Sequence, residues 1–388
     1  MRAALISMAG QPRDGEGKAS LALAGKTLAR RQLDFALAAG CERVIALGDG
    51  GSAEAIALRH AAEDAGAGFQ AIRDSHGLLG AVRAADELLV LAPGLLPEAG
   101  EALEALGAPG HGGAMLVLPA GAGVMAGFER IDLERAWAGA ALLPGALVER
   151  LSELPVDIEP ASALMRAALQ ARVPERRLPQ TLMAEGLWSM PGNGADPISD
   201  ERAWLRRHSR PVRSFPGQFG RLPVPLALKL LAAPRSAALL AGAGSAVLAG
   251  AVAAAWFGVA TLGFALIPLA VLLMDYALEI ARLREAPFGR RARRLAAVLP
   301  WLVDLAIVAC AVLAIEGSWV HRLFPPLALL GALHLSAPPG LAVVVRNRAL
   351  LGAMFAISAV FGAAEPAIMV AALALIALNA AQAAARRG

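Results

Sequence analysis

Three acidic residues in the C-terminal half have the type and spacing to bind a divalent cation and a phosphate. Asp275 and Glu279 are four residues apart, so they share one face of a helix, and Arg282 follows nearly one turn later. Asp304 lies inside the next apolar stretch, where its short side chain has little means of reaching a polar surface. We interpret the three carboxylates as candidate catalytic residues and Arg282 as a candidate phosphate ligand, while the metal ligands stay unassigned. In the alternative interpretation, Asp275 and Glu279 pair with loop arginines at the level of the lipid headgroups.

A glycine-rich loop near the N-terminus suggests a second kind of chemistry. Loop 9–18 follows a short apolar strand, and backbone N–H groups in such a loop can hold phosphates. The candidate nucleotide-binding residues are Gly10, Arg13, Gly15, Gly17 and Lys18. In the alternative interpretation, the loop only turns the chain.

Apolar helices must position the three carboxylates. The chain has 388 residues, of which 57% are hydrophobic, and its mean hydropathy is +0.56. The excess lies after residue 235, where apolar stretches reach the roughly 20 residues that a bilayer core requires. We predict an all-α polytopic membrane domain of about six helices. The predicted spans are 236–257, 258–278, 295–315, 320–335, 349–363 and 367–384.

Basic residues and small residues add the orientation and packing of these spans. Arginines crowd the loop after the second predicted span and recur after the fourth, whereas the loops after the first and fifth carry no Lys or Arg. The positive-inside rule therefore places both termini and the N-terminal domain in the cytoplasm, on a bacterial inner (plasma) membrane. Gly242, Ala246 and Gly250 are spaced by four in the first span and predict a close helix approach.

Composition excludes several classes of protein. Cys41 lies in the N-terminal half and Cys310 in an apolar stretch, so neither a disulfide framework nor a cysteine-based zinc site is expected. The formal net charge is +4, and no basic stripe is interleaved with aromatic residues, which excludes nucleic acid as a partner. Membrane lipids are the expected surroundings of the C-terminal half.

The N-terminal half alternates apolar strands with helices. Strands are predicted at 3–8, 68–72, 88–91 and 114–119, and segment 39–47 is predicted to be a helix stop followed by a strand. Helices are predicted at 27–39, 53–65, 80–87 and 98–106. This alternation is typical of a Rossmann-like parallel sheet with helices on both faces. The charged segment 128–137 is predicted to be a solvated helix. We expect an α/β domain at 1–190, a basic Pro/Gly linker with an interfacial helix at 191–235, and the membrane domain at 236–388.

The N-terminal pattern resembles the nucleotidyltransferases of the sugar-phosphate and molybdopterin-guanine type. The matching residues are Ala9-Gly10, Arg13, Gly15, Gly17, Lys18, Gly25-Lys26-Thr27-Leu28 and Ala39-Gly40. The resemblance implies that the loop wraps the phosphates of CTP or another nucleoside triphosphate, with Arg13 and Lys18 neutralising the pyrophosphate. In that family, the strand that corresponds to 88–91 of this chain ends in an aspartate that holds Mg²⁺. In this chain, Ala92 stands at that position.

The whole chain resembles fusions of an inositol-phosphate cytidylyltransferase with a CDP-alcohol phosphotransferase. Asp275, Ala281-Arg282, Gly289 and Asp304 echo the membrane motif of that family with altered spacing. The resemblance implies transfer of a nucleotide or a phosphoalcohol in phospholipid or polar-headgroup metabolism, with Mg²⁺ as cofactor and a lipid or polyol phosphate as substrate. Both motifs are degenerate, so a catalytically impaired descendant stays open, as do a homodimer and a non-catalytic scaffold or transporter-like protein with a nucleotide-sensing head.

Overall fold

The chain divides into two compact units, and the boundary between them lies at Arg207/His208. The computed structural model describes residues 1–8, 21–107, 112–191, 197–212, 214–215, 220–288, 292–334 and 347–385. The units Met1–Arg207 and His208–Gly388 are called the head and the membrane unit below. The head thus continues beyond residue 190, where the sequence suggested a linker, because the side chain of Trp204 is fully buried in it.

The head is built of eleven described strands and eight described α-helices. The strands are β1 (Arg2–Ser7), β2 (Ala22–Leu23), β3 (Lys26–Thr27), β4 (Arg43–Leu47), β5 (Gly68–Ile72), β6 (Glu87–Leu91), β7 (Leu96–Pro97), β8 (Ala114–Pro119), β9 (Arg135–Pro144), β10 (Glu175–Arg177) and β11 (Trp188–Ser189). The helices are α1 (Leu28–Ala38), α2 (Ala53–Asp64), α3 (Gly77–Ala81), α4 (Gly100–Leu106), α5 (Ala120–Met125), α6 (Pro160–Gln170), α7 (Gln180–Ala184) and α8 (Pro197–His208), and a 3-10 helix covers Gly145–Glu153.

Seven strands form the central sheet in the order β10-β8-β9-β6-β1-β4-β5. All neighbouring pairs are parallel except the two that β9 makes with β6 and β8. The central strand β1 is buried along its whole length, and its continuous apolar run is typical of a strand covered on both faces. This order confirms the α/β fold class with a parallel-rich sheet.

Two helix predictions in the head are wrong. Segment 128–137 forms a turn that leads into β9, because the Asp132 carboxylate accepts hydrogen bonds from the backbone N–H groups of Glu134 and Arg135. The helix predicted at 80–87 ends already at Ala81, where α3 stops. The chain then turns again, since the Asp86 carboxylate accepts a hydrogen bond from the backbone N–H of Arg83.

Cys41 is a small buried side chain, as the sequence suggests. Burial raises the pKa of its thiol to about 12, so the thiol stays protonated and unreactive at neutral pH.

The membrane unit is helical. Its described helices are α9 (Val224–Ala232), α10 (Ser236–Trp256), α11 (Ala260–Glu285), α12 (Ala292–Ala314), α13 (Trp319–His334), α14 (Arg348–Val360) and α15 (Ala364–Ala385). Helices α10 to α15 fall on the six predicted spans, and α9 falls on the predicted interfacial helix.

Four of the described helices are long and apolar enough to cross a membrane. They are α10, α11, α15 over Ala364–Ala381 and α12 over Leu295–Ala314. Helices α13 and α14 have 16 and 13 residues, which is shorter than the roughly 20 residues of a full span. These two short helices fall on the predicted spans 320–335 and 349–363, and their crossing of the membrane stays a prediction.

Close helix contact in the membrane unit is made by glycines other than those of the predicted stripe. A Cβ added at Gly244 of α10 would lie 2.8 Å from Cγ of Met274 in α11, whereas Gly242 and Gly250 have open space around them. A Cβ added at Gly352 of α14 would likewise lie 2.8 Å from Cβ of Ile267 in α11. The predicted stripe of Gly242, Ala246 and Gly250 is exposed on the outer face of α10, and the face that carries Gly244 packs against α11.

Replacing Gly244 with valine should lower the stability of the membrane unit by about 1–3 kcal/mol, because the added carbons overlap Met274. The matched change Gly242→Val should have little effect within one chain, since nothing lies within 4 Å of that position. Thermal unfolding of the two variants in detergent micelles measures the difference. Equal melting temperatures of the two variants would contradict the close packing of Gly244 against Met274.

The membrane orientation of the chain stays a prediction with a direct test. If both termini are cytoplasmic, reporter fusions at Gly317, between α12 and α13, and at Gly388 should report opposite sides of the membrane. Reporter activity on the same side at both positions would refute the orientation.

Candidate functional site

The carboxyl edge of the parallel strands is the part of the head where a ligand is expected. From β1 the sheet continues to β4 and β5 on one side and to β6 on the other, so the strand order reverses at β1. Ligands of open α/β sheets bind outside the carboxyl ends of the strands at such a reversal. The chain leaves β1 at this edge, where the backbone N–H of Met8 donates to the carbonyl of Leu47 at 2.8 Å.

The predicted nucleotide ligands follow directly after this point. Gly10, Arg13, Gly15, Gly17 and Lys18 fall within 9–20, which lies outside the described residues. Their roles therefore stay predictions, although the strand that precedes them ends at the expected edge.

The chain re-enters the described structure in a tight hairpin made of β2 and β3. Ala24 and Gly25 form its turn in the left-handed region, with φ of 51° and 79°. Lys26, the next residue, contacts the carboxylate of Asp34, which also pairs with Arg30 at 3.3 Å. Burial lowers the pKa of Lys26, although Asp34 acts in the opposite direction. A partly buried lysine, paired with Asp34, thus stands in the hairpin that follows the glycine-rich loop.

The end of β6 carries no carboxylate. Ala92 stands there, and its carbonyl accepts a hydrogen bond from Nε2 of Gln32 at 2.9 Å, as does the carbonyl of Leu95 at 3.0 Å. The turn is further shaped by Gly94, whose φ is 81°. The buried Gln32 therefore fixes the backbone at the position where the resembling family holds Mg²⁺ through an aspartate.

Two exposed aspartates lie at the same edge, and they were not among the predicted site residues. Asp49 follows β4 and accepts a hydrogen bond from the backbone N–H of Gly51 at 3.0 Å. Asp74 follows β5 and accepts one from the backbone N–H of Gly77 at 3.1 Å. Their position directly after apolar strands is a sequence signal that could have identified them.

A buried polar cluster attaches α8 to the rest of the head. Glu98 pairs with Arg31 at 2.8 Å and accepts hydrogen bonds from Nε1 of Trp204 at 2.7 and 2.9 Å. The Arg31 guanidinium lies 4.3 Å from the centre of the Trp204 ring and donates to the carbonyl of Leu23 at 2.7 Å. The cluster thus reaches the hairpin that follows the glycine-rich loop.

A second contact of α8 holds the same hairpin. Oε1 of Glu201 accepts a hydrogen bond from the backbone N–H of Ala24 at 2.9 Å. Helix α8 therefore contributes to the position of the hairpin turn.

In the membrane unit, Glu279 and Arg282 form an ion pair. Oε2 of Glu279 accepts from Nε of Arg282 at 2.8 Å, and Oε1 accepts from Nη2 at 2.7 Å. Oε1 also accepts from the backbone N–H of Arg210 at 2.8 Å, and Arg282 donates to the carbonyl of His208. Asp275 lies one turn before Glu279, with its Oδ2 buried. These contacts hold residues 208–210, at the start of the membrane unit, against α11.

Asp304 is bound by two other helices. Its side chain is fully buried and accepts from Nε and Nη2 of Arg348 at 2.6 and 2.7 Å. Nε2 of His334 lies 3.0 Å from Oδ2 of the same carboxylate. Neither partner was among the predicted site residues.

The three candidate carboxylates of the membrane unit do not meet as one cation site. Glu279 is engaged by Arg282, and Asp304 is engaged by Arg348 and His334. Within the described ranges, no group of three or more His, Cys, Asp or Glu residues is arranged to hold a metal ion. A catalytic role for these residues stays a prediction.

Arg284 fixes the short helix α9. Its Nη2 donates to the carbonyls of Leu230 and Leu231 at 2.9 and 3.3 Å and to Oγ of Ser236 at 3.1 Å. It also contacts the carbonyls of Ala233 and Pro234. One guanidinium therefore binds two of the last four carbonyls of α9 and the two carbonyls that follow the helix.

Comparison with known proteins gives a structural likeness for the N-terminal part of the chain. No family model matches the chain, and no curated protein matches it. Among solved structures, a protein from Bacillus anthracis described as a glucose-1-phosphate thymidylyltransferase, crystallised with sucrose, is similar to 52% of this chain. The match covers 93% of that protein at 10% identity, with a TM-score of 0.39.

Proposed function

We propose that the head binds a nucleoside triphosphate at the carboxyl edge of its sheet, and that the protein is a membrane-bound, nucleotidyltransferase-like protein of phospholipid or polar-headgroup metabolism. The observation that supports this is the reversal of strand order at β1, from which the glycine-rich loop departs. A glycine-rich loop at a strand reversal can offer backbone N–H groups to phosphates, and Arg13 and Lys18 add two positive charges to this loop.

Binding with little or no turnover is the form of this function that we favour. The end of β6 offers Ala92, and the carbonyl of that residue is already bound by Gln32. The described residues at this position therefore do not fit the Mg²⁺ clamp of the nucleotidyltransferases that the head resembles.

A non-catalytic scaffold with a nucleotide-sensing head is the second candidate. The pairing of Glu279 with Arg282, and of Asp304 with Arg348, favours it, because carboxylates held by arginines are poor cation ligands. In both candidates the nucleotide site in the head is the same, and only the role of the membrane unit differs.

Calorimetric titration of the full chain in detergent micelles with CTP, GTP and ATP, each with Mg²⁺, tests the proposal. The double change Arg13→Ala/Lys18→Ala should weaken binding at least tenfold, which corresponds to about 1.4 kcal/mol. Arg150→Ala is the matched control, because Arg150 is exposed and far from the carboxyl edge of the sheet. Its 3-10 helix follows Pro144, which pairs with Glu87 at the start of β6, on the opposite edge. Unchanged affinity of the double variant would show that the loop is only structural.

A further inference from the structure

The buried carboxylate of Asp304 organises two basic side chains from different helices. Arg348 is the first residue of α14, and His334 is the last residue of α13. Asp304 is 1% exposed, so an ionised carboxylate here needs partners, and it has both. The carboxylate therefore fixes the orientation of the guanidinium and of the imidazole.

Both basic side chains keep hydrogen-bonding capacity that Asp304 does not use. The bidentate bond takes Nε and Nη2 of Arg348, which leaves the Nη1 group and the second hydrogen of Nη2 as donors. His334 uses Nε2, which leaves Nδ1, and this nitrogen is a donor only in the protonated imidazolium. The side chains of Arg348 and His334 are 25% and 31% exposed, in contrast to the fully buried Asp304.

The surroundings of these donors favour a negatively charged group. The positive end of the α14 dipole lies at Arg348, and Asn347 caps this helix through the backbone N–H groups of Ala349 and Leu350. The Trp301 ring stacks on His334 with 3.9 Å between the ring centres, which holds the imidazole in place.

The cluster lies well along the apolar helix α12. Asp304 lies 12 residues after the first residue of α12, Ala292, which is about 18 Å at 1.5 Å per residue. Helices α13 and α14 end and begin at that level, because His334 and Arg348 touch Asp304. Partly exposed polar side chains within an apolar helical unit favour water or a polar headgroup as a neighbour.

We propose that Arg348 and His334, oriented by Asp304, form a binding site for a phosphate group. The phosphate is carried either by the headgroup of a membrane lipid or by a soluble compound, and both offer oxyanions to the same donors. This site is separate from the nucleotide site proposed for the head and does not depend on it.

Thermal unfolding of the full chain in dodecyl maltoside micelles tests the site. Dioleoyl phosphatidic acid should raise the melting temperature, and dioleoylglycerol, which lacks the phosphate, should not. Inorganic phosphate that raises it as much would support the site and assign the soluble source. Equal stabilisation by phosphatidic acid and dioleoylglycerol would overturn the proposal.

Variants separate this site from a general effect of lipid. His334→Gln retains a donor for Asp304, and the double change Asp304→Asn/Arg348→Gln removes both charges of the ion pair together. Both variants should require at least fivefold more phosphatidic acid for the same rise in melting temperature. Arg322→Gln is the control, because Arg322 donates to the carbonyl of Val312 and lies outside the cluster. A lipid response of both variants equal to that of the unaltered protein would overturn the site.

Discussion

An alanine in place of Glu98 should lower the free energy of unfolding of the head by about 3–5 kcal/mol. The change leaves the buried guanidinium of Arg31 without its carboxylate and the indole N–H of Trp204 without its acceptor. Because the same cluster holds the carbonyl of Leu23, the hairpin after the glycine-rich loop should loosen as well. Pulse proteolysis of the full chain in increasing urea measures the folded fraction of the head.

The control for this prediction is an ion pair on the surface of the same unit. Arg166 pairs with Glu129 at 3.2 Å and is 65% exposed, so Arg166→Ala should change the stability by less than about 1 kcal/mol. Replacing the buried pair as a whole, by Arg31→Met/Glu98→Leu, should cost less than Glu98→Ala, because no charge is left buried alone. If Glu98→Ala had no larger effect than Arg166→Ala, the buried cluster would not be what holds α8.

Asp304→Ala is expected to destabilise the membrane unit by a similar amount, about 3–5 kcal/mol. It removes the carboxylate that joins α12 to α13 and α14 and leaves Arg348 and His334 without their common partner. The fraction of protein that remains monodisperse on size-exclusion chromatography after heating in detergent measures the loss.

Glu365→Gln provides the comparison, because Glu365 pairs with His321 at 2.8 Å on the exposed surface of the unit. That change should lower the temperature at which half of the protein remains monodisperse by only the small amount typical of a surface pair. If Asp304→Ala shifted it no further, the cluster would contribute little to the packing of these helices.

The apolar strands of the head could be predicted from the sequence because their signal is local. Strands predicted at 68–72 and 114–119 coincide with β5 and β8, and β4 lies within the segment 39–47 that was predicted to end in a strand. Each is a short run of apolar residues bounded by polar or glycine residues, which is typical of buried strands in parallel sheets. The reversal of strand order at β1 then places the loop that follows β1 at a ligand-binding edge.

Two elements of the head were missed because their signal is not local. Strand β9 is rich in alanine, a residue that favours helices, and its antiparallel pairing with β6 and β8 depends on distant residues. Helix α8 contains several charged residues and resembles a linker, and only its contact with Glu98, 106 residues away, shows that Trp204 belongs to the core.

The polar clusters of the membrane unit were predicted only in part. Glu279 and Arg282 lie three residues apart on one helix, so their pairing follows from helical spacing. The partners of Asp304 are 30 and 44 residues away on other helices, and no pattern within α12 identifies them. Sequence reasoning therefore identified the carboxylate as unusual and missed the basic side chains that orient around it.

Helix α9 is attached through main-chain oxygens, and this affects how the sequence can change in evolution. Arg284 binds the carbonyls of Leu230 and Leu231, and a carbonyl is the same acceptor whichever side chain its residue carries. Related chains could therefore exchange outward residues such as Leu226 and Lys229 and still keep the helix in place. Arg284→Lys would not be equivalent, since one ammonium lacks the broad fork of donors that reaches several carbonyls at once. Sequence drift should thus be tolerated along α9 and opposed at the arginine on α11.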